Sequence, residues 1–171
     1  VAVACSTPEH SEEAAARLGC AAETAETILW ESRFVFLGVK PQMIAGVVKK
    51  LAGDIAGSDA IFVSMLAGTS LERLAELLGT DKKIIRIMPN TPVAIGQGVI
   101  SLARSQAVTD QQVAQVKQLL SGAGALYEIE EKLMDPATAV AGCGPAFVYQ
   151  MIEAMADAGV GLGLTREQAL Q

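Results

Sequence analysis

The stretch Ala60-Ile61-Phe62-Val63-Ser64-Met65-Leu66-Ala67-Gly68-Thr69-Ser70-Leu71-Glu72 decides the fold class. Ala60–Met65 is a short apolar run, rich in β-branched and aromatic residues and broken only by Ser64, so it reads as a buried strand. The run ends at Ala67-Gly68. Thr69-Ser70-Leu71-Glu72 then has the spacing of a capping box, followed by Leu71, Leu74, Leu77 and Leu78 at helical spacing. A fully apolar strand leading into a one-sided helix is the building unit of a parallel sheet covered on both faces.

Working outward, the unit recurs. Val1–Cys5 reads as a strand running into Ser6-Thr7-Pro8, a helix start with Thr7 as cap and Pro8 just inside. Phe34–Val39 is a second apolar run that stops at Lys40-Pro41. Lys83–Met88, Val99–Ala103 and Ala125–Ile129 bring the candidate strands to six, and a second capping box, Thr109–Gln112, precedes a Val113/Val116/Leu119/Leu120 stripe. In such sheets ligands bind at the carboxyl ends of the strands. The unusual residues of this chain fall there: Ser6-Thr7, Gly38–Pro41, Ser64–Gly68 and Met88–Pro92.

From about residue 131 the pattern is helical only. Ala139-Val140-Ala141-Gly142-Cys143-Gly144-Pro145-Ala146-Phe147 places small residues before a proline and a long apolar helix over Pro145–Leu162. That pattern predicts exposed backbone N–H groups at a helix start, suited to a small carboxylate or phosphate; an interdomain turn is the plainer reading. Polar Gln150, Glu153 and Asp157 form one narrow stripe on this helix. Its remaining faces call for cover, from residues beyond Gln171, from a partner subunit, or from both.

Composition narrows the function classes. Of 171 residues, 51% are hydrophobic and only 4% aromatic, which describes an Ala/Val/Ile/Leu core. Thirteen basic against nineteen acidic residues give a net charge of −6, arguing against nucleic acid or an anionic membrane as partner. No apolar run spans a bilayer and no secretory leader pattern opens the chain. Cys5, Cys20 and Cys143 lack metal-ligand spacing, so reduced thiols and a cytoplasmic setting are expected, with no metal. His10 is the only histidine, which removes Ser/His/Asp catalysis. No G-x-G-x-x-G turn occurs; Gly96-Gln97-Gly98, Gly122-Ala123-Gly124 and Gly159-Val160-Gly161 read as turns or helix ends. The first residues therefore look like the second strand of a dinucleotide-binding fold, and the expectation is a chain lacking its first β-α unit.

With these segments placed, the sequence resembles the Δ1-pyrroline-5-carboxylate reductase family. The carrying residues are Phe36-Leu37-Gly38-Val39-Lys40-Pro41-Gln42, Ser64-Met65-Leu66-Ala67-Gly68, Ile84-Ile85-Arg86-Ile87-Met88-Pro89-Asn90-Thr91-Pro92, and the small-residue stretch running on through Ile152–Gly159 to Gly163-Leu164. The resemblance implies a Rossmann-like doubly wound parallel sheet over 1–131, incomplete at its N-terminus, followed over 132–171 by the start of an all-helical dimerisation domain. It implies NAD(P)H-dependent reduction of pyrroline-5-carboxylate to proline by a homodimer or larger homo-oligomer. NADPH is the expected cofactor, with NADH as the alternative.

Carried over by position, Ser6 and Thr7 match the turn that holds the 2′-phosphate, and Thr24 an adenosine-side polar position. Gly38, Val39, Lys40 and Pro41 match the loop beneath ribose and pyrophosphate. Met65 and Ala67 match positions beside the nicotinamide, and Asn90 lies in the loop near it. Ala141, Gly142, Cys143, Gly144 and Pro145 match the family's S-G-S-G-P turn for the substrate carboxylate, with Ala141 and Cys143 replacing its two serines. The replacement keeps backbone donors and removes two hydroxyls. It leaves open a reductase of a related imine, keto acid or hydroxy acid, and a non-catalytic nucleotide-binding paralogue. No catalytic side chain is nominated, because hydride comes from the cofactor. Lacking the pyrophosphate turn and later partner-subunit helices, the fragment is expected to be inactive by itself.

Overall fold

The computed structural model describes residues 1–171. Its main sheet has five strands in the order β3 (Phe34–Leu37), β4 (Ile61–Ser64), β5 (Lys83–Met88), β6 (Gly98–Arg104) and β7 (Gly124–Glu128). Alternation along β4 sends Phe62 to one face and Ile61 and Val63 to the other. Phe62 joins a core with Leu29, Val35, Ile44, Val48, Leu51, Ile55, Leu74 and Ile84, closed by α2 (Ala25–Glu31), α3 (Ile44–Lys50), α4 (Ala52–Gly57) and α5 (Leu71–Leu78). Ile61 and Val63 join Ile85, Ile87, Ile100, Leu102, Val113 and Val116 beneath α6 (Asp110–Leu119). Helices on both faces of a parallel-dominated sheet make this a doubly wound, Rossmann-like fold.

The expected parallel sheet needs one correction. β3, β4 and β5 are parallel, and β6 is parallel to β7, but β6 runs antiparallel to β5. The connection between β5 and β6 is a 3-10 turn, Thr91–Ile95, between Pro89 and Gln97. That is too short for a crossover, so the chain can only turn back. The strand expected over Val1–Cys5 is β1, Ala2–Val3, and it pairs in parallel with β2, Ala21–Ala22, outside the main sheet. Sequence reading missed β2, since two alanines carry no periodic signal.

Two glycines set the start of β6 and β7. A Cβ on Gly124 would lie 2.1 Å from the Gly98 carbonyl oxygen, and one on Gly98 2.2 Å from Val93 Cγ1. The paired strands approach too closely there for any side chain.

Helix caps follow the sequence with one exception. Thr7 caps α1 (Pro8–Leu18), and the capping boxes Thr109/Gln112 and Thr165/Gln168 both form. The box expected at Thr69/Glu72 does not. Ser70 is the cap of α5, accepting from the Arg73 N–H, while Thr69 is buried. Glu131 Oε1 takes the place of the missing carboxylate by accepting the Leu71 N–H at 2.6 Å.

Beyond β7 the chain is helical: α7 (Met134–Ala137), a π-helical turn over Thr138–Gly142, α8 (Gly144–Gly161) and α9 (Arg166–Leu170). Met134 is fully buried and anchors this segment to the sheet domain. Arg166 reaches back to Glu153 and Asp157, so the polar stripe of α8 is where α9 is tied. The rest of α8 is open. Phe147, Met151 and Met155 are 68%, 66% and 65% exposed, and only Ala156 is buried. No helix is long and apolar enough to cross a membrane.

Candidate functional site

The parallel register fixes which loops share an edge. Leu37 lies beside Ser64 and Ser64 beside Arg86, so β3 and β4 end side by side and β5 runs on to Met88 at the same edge. The loops after them carry Gly38–Pro41, Met65–Gly68 and Pro89–Pro92. Met65 donates its backbone N–H to the Leu37 carbonyl at 3.4 Å, and its Cε would sit 3.5 Å from a Cβ at Gly38. The Met65 side chain therefore lies over the first loop, at ordinary contact distance from position 38. Ser64, fully buried, accepts the Leu66 N–H and stiffens the turn. Lys40, Pro41, Met65 and Ala67 are exposed on this edge, and Val39 is half-buried.

A separate groove of about 360 Å³ runs between α1 and α2. Ser6, Thr7 and Thr24 all line it, so the structure brings together three of the residues expected on the adenosine side. Thr7 and Thr24 are N-caps, accepting the His10 and Thr27 N–H groups, and Ser6 Oγ lies 3.5 Å from His10 Nδ1. Lys50 is the basic residue in the lining and Glu12, Glu23 and Glu26 the acidic ones. None of these four charged residues was singled out from sequence; they meet only through the packing of three helices and β2. The backbone N–H of Glu9 itself, and then the Thr7 hydroxyl, hold the Glu9 carboxyl below its ordinary range.

The small-residue stretch differs from the expected open helix start. Thr138–Gly142 is wound as a π turn continuous with α7, and Cys143 donates its N–H to the Thr138 carbonyl at 3.0 Å. That amide is spent inside the helix. α8 begins at Gly144, one residue before the expected Pro145, which occupies its second position. Small residues are needed here for packing as well, since a Cβ on Gly142 would lie 3.2 Å from Thr138 Cγ2. π turns interrupt helices mostly where a site requires it.

Two links hold this turn against the sheet edge. Asn90 Nδ2 donates to the Ala141 carbonyl at 2.9 Å, and Asn90 Oδ1 accepts the Val99 N–H at 2.9 Å. Four residues earlier on β5, Arg86 is 4% exposed and donates to Glu131 at 3.3 Å and Asp135 at 3.4 Å, while its Nε has no partner. The loops after β3, β4 and β5 and the stretch Ala141–Pro145 are therefore parts of one edge. His10 and Cys5 belong instead with the α1 groove, His10 beside Ser6 and Cys5 in the lining, and no cluster of metal-ligating side chains occurs.

A doubly wound domain whose last parallel strand-end loop is tied to a helical segment with an uncovered apolar face defines a two-part architecture, a Rossmann-like domain joined to helices. Comparison with known proteins places the chain within that class. Residues 131–171 match the family model for pyrroline-5-carboxylate reductase dimerisation, and residues 1–68 that for coenzyme F420-dependent NADP oxidoreductase. The pyrroline-5-carboxylate reductase of Aquifex aeolicus is 44% identical over 140 residues, covering 82% of this chain and 51% of that one. The crystal structure of the Streptococcus pyogenes enzyme superposes with a TM-score of 0.89 at 36% identity, covering 98% of this chain and 63% of that one. The Plasmodium falciparum pyrroline carboxylate reductase, solved with NADP bound, gives 0.81 at 32%, covering 88% and 57%. The chain belongs to the pyrroline-5-carboxylate reductase family. It spans about half the length of the curated relatives it matches.

Proposed function

We propose that the protein carrying this chain reduces L-1-pyrroline-5-carboxylate to L-proline with NADPH, as a homodimer or larger homo-oligomer. The observation that carries the reading is the docking of the Ala141–Pro145 turn, through Asn90, onto the edge formed by the Gly38, Met65 and Pro89 loops. A nicotinamide nucleotide fits this edge by the chemistry of its donors. Ser6 and Thr7 offer hydroxyls at the N-terminus of an eleven-residue helix, where a phosphate is stabilised. Thr24 and Lys50 complete that groove, and Glu12, Glu23 and Glu26 oppose added negative charge, so the preference for NADPH over NADH rests on the balance among them. Gly38–Pro41 would pass beneath ribose and pyrophosphate. The dihydronicotinamide supplies the hydride when bound.

The chain's own part is orientation. Ala67 has a small side chain that leaves its backbone approachable, Met65 would flank the nicotinamide with its thioether, and the Asn90-linked turn would fix the second reactant relative to them, which lowers the barrier chiefly through positioning. Gly142 and Gly144 keep the approach to backbone donors clear. The imine must arrive protonated at nitrogen; hydride then adds to the C=N carbon and gives the secondary amine. Ala141 and Cys143 offer no hydroxyl, and the Cys143 and Ala146 N–H groups are already bonded within the chain, so the carboxylate would rest chiefly on the dipole of the eighteen-residue α8.

The open face of α8 supports self-association through the helical segment, which is the second domain of a division near 131/132. The test is initial-rate NADPH oxidation by the complete natural protein with pyrroline-5-carboxylate against cyclic imines of other ring sizes. The reading predicts the five-membered carboxylate as the preferred substrate. Faster turnover of another ring size, or NADPH binding without any turnover, refutes it.

A further inference from the structure

The carbonyl of Ala141 is an acceptor whose helical partner the sequence deletes. In an α-helix the C=O of one residue receives the N–H of the fourth residue on. Four residues after Ala141 comes Pro145, which has no N–H and whose ring crowds that same carbonyl. The following N–H, from Ala146, is directed to the Cys143 carbonyl at 3.1 Å. The acceptor is met instead from the sheet domain, by Asn90 Nδ2 at 2.9 Å. The opposite end of the same amide accepts the Val99 N–H at the head of β6. A backbone N–H can only meet the amide oxygen and a carbonyl only the amide nitrogen, so both contacts agree on one orientation of the side chain.

We propose that Asn90 is a positioning residue that replaces the donor Pro145 lacks, and thereby sets the tilt of the Ala141–Gly142 peptide in the substrate turn. Because the peptide is trans and planar, a carbonyl turned toward Asn90 aims the Gly142 N–H the opposite way. The M-P-N-T-P loop after β5 and the G-x-G-P turn are thus one device: the proline opens the helix, and the asparagine fixes how far. Asn90 acts through the turn, where sequence reading had placed it among the cofactor contacts. The inference rests on the pyrroline-5-carboxylate reading of the turn for its kinetic consequence, and not for its hydrogen-bond consequence.

The test uses the complete natural protein with Asn90→Asp, Asn90→Ala, Pro145→Ala and the Asn90→Ala/Pro145→Ala double variant. Asn90→Asp keeps the acceptor for Val99 and loses the donor to Ala141. It should raise KM for pyrroline-5-carboxylate about tenfold while NADPH affinity stays within about twofold, the size expected of a small misplacement of a binding group. Pro145→Ala restores an N–H that can reach the Ala141 carbonyl, so Asn90→Ala should lower the Tm less in the Pro145→Ala background than in the wild type. Weakened NADPH binding with an unchanged substrate KM would overturn the proposal, as would a lowered Tm with both constants unchanged. Strictly additive Tm shifts in the cycle would also overturn it. Absence of turnover in the wild type would refute the substrate reading alone, because the thermal cycle still reports on the Asn90–Ala141 bond; if Asn90→Asp does not fold, Asn90→Ser carries the kinetic arm.

Discussion

Arg86 is buried in the sheet domain, and its charge partners, Glu131 and Asp135, flank the junction with the helical segment, one on each side of it. Replacing it tests whether the two parts are locked by that pair. Glu131 is 31% exposed and lies 3.3 Å away; Asp135 is 83% exposed and lies 3.4 Å away. The Asp135 pair is screened by solvent and is worth about 0.5 kcal/mol or less. The Glu131 pair is partly buried, so breaking it should cost about 2 kcal/mol, below the 3–5 kcal/mol typical when a fully buried charge loses its partner. Arg86→Ala also empties the space of the arginine stem, bringing the expected loss to about 3 kcal/mol. Arg86→Met keeps the stem and should lose about 2 kcal/mol. Glu131→Gln removes the charge but keeps an oxygen for the Leu71 N–H. A double-mutant cycle between Arg86→Met and Glu131→Gln, followed by urea unfolding at neutral pH, should give a coupling of about 1.5 kcal/mol. A coupling below about 0.5 kcal/mol, or Arg86→Ala unfolding at the same urea concentration as wild type, would refute the lock.

Adding charge to the open face of α8, as in Phe147→Asp with Met155→Asp, should dissociate the oligomer, since each side chain forfeits about 2 kcal/mol of burial; sedimentation velocity reads the outcome. Gly124→Ala forces a Cβ against the Gly98 backbone and should cost about 3 kcal/mol, seen as a lowered urea midpoint. The Glu9 carboxyl is held below its ordinary value near 4.5, so it stabilises the fold above that pH and ceases to do so as pH falls through its folded value. The difference in stability between wild type and Glu9→Gln should therefore be present at neutral pH and close below about pH 4.5 in thermal melts. Ala141→Ser with Cys143→Ser restores the hydroxyls of the family's turn and should lower the substrate KM by about threefold to tenfold, the worth of roughly one hydrogen bond, with NADPH affinity unaltered.

The main sheet was legible because its strands are bounded apolar runs and α1, α5 and α6 open on side-chain caps. Ile61–Ser64 and α5 follow directly from their residues. The reversal at β6 was hidden in spacing: the apolar pattern of Val99–Ala103 is the same for either direction, and only the short, proline-rich link from Pro89 decides it. Capping of α5 by Ser70 escaped notice because the carboxylate that completes it, Glu131, is sixty residues away. The site was half legible. Loops could be assigned to one edge from topology, but Asn90 reads as a residue of the nicotinamide loop until Ala141 is brought beside it. The stretch before Pro145 looks like a free helix start, and nothing in its residue pattern announces the π turn that uses the Cys143 amide.

The central claim is that this edge delivers hydride to a pyrroline carboxylate held by the Ala141–Pro145 turn. It is tested most directly by running the complete natural protein with NADPH deuterated at the transferable position of its dihydronicotinamide ring. Proline carrying one deuterium on the carbon that had been double-bonded to nitrogen is the predicted product. Unlabelled proline, or no proline while the cofactor is bound, would contradict the account.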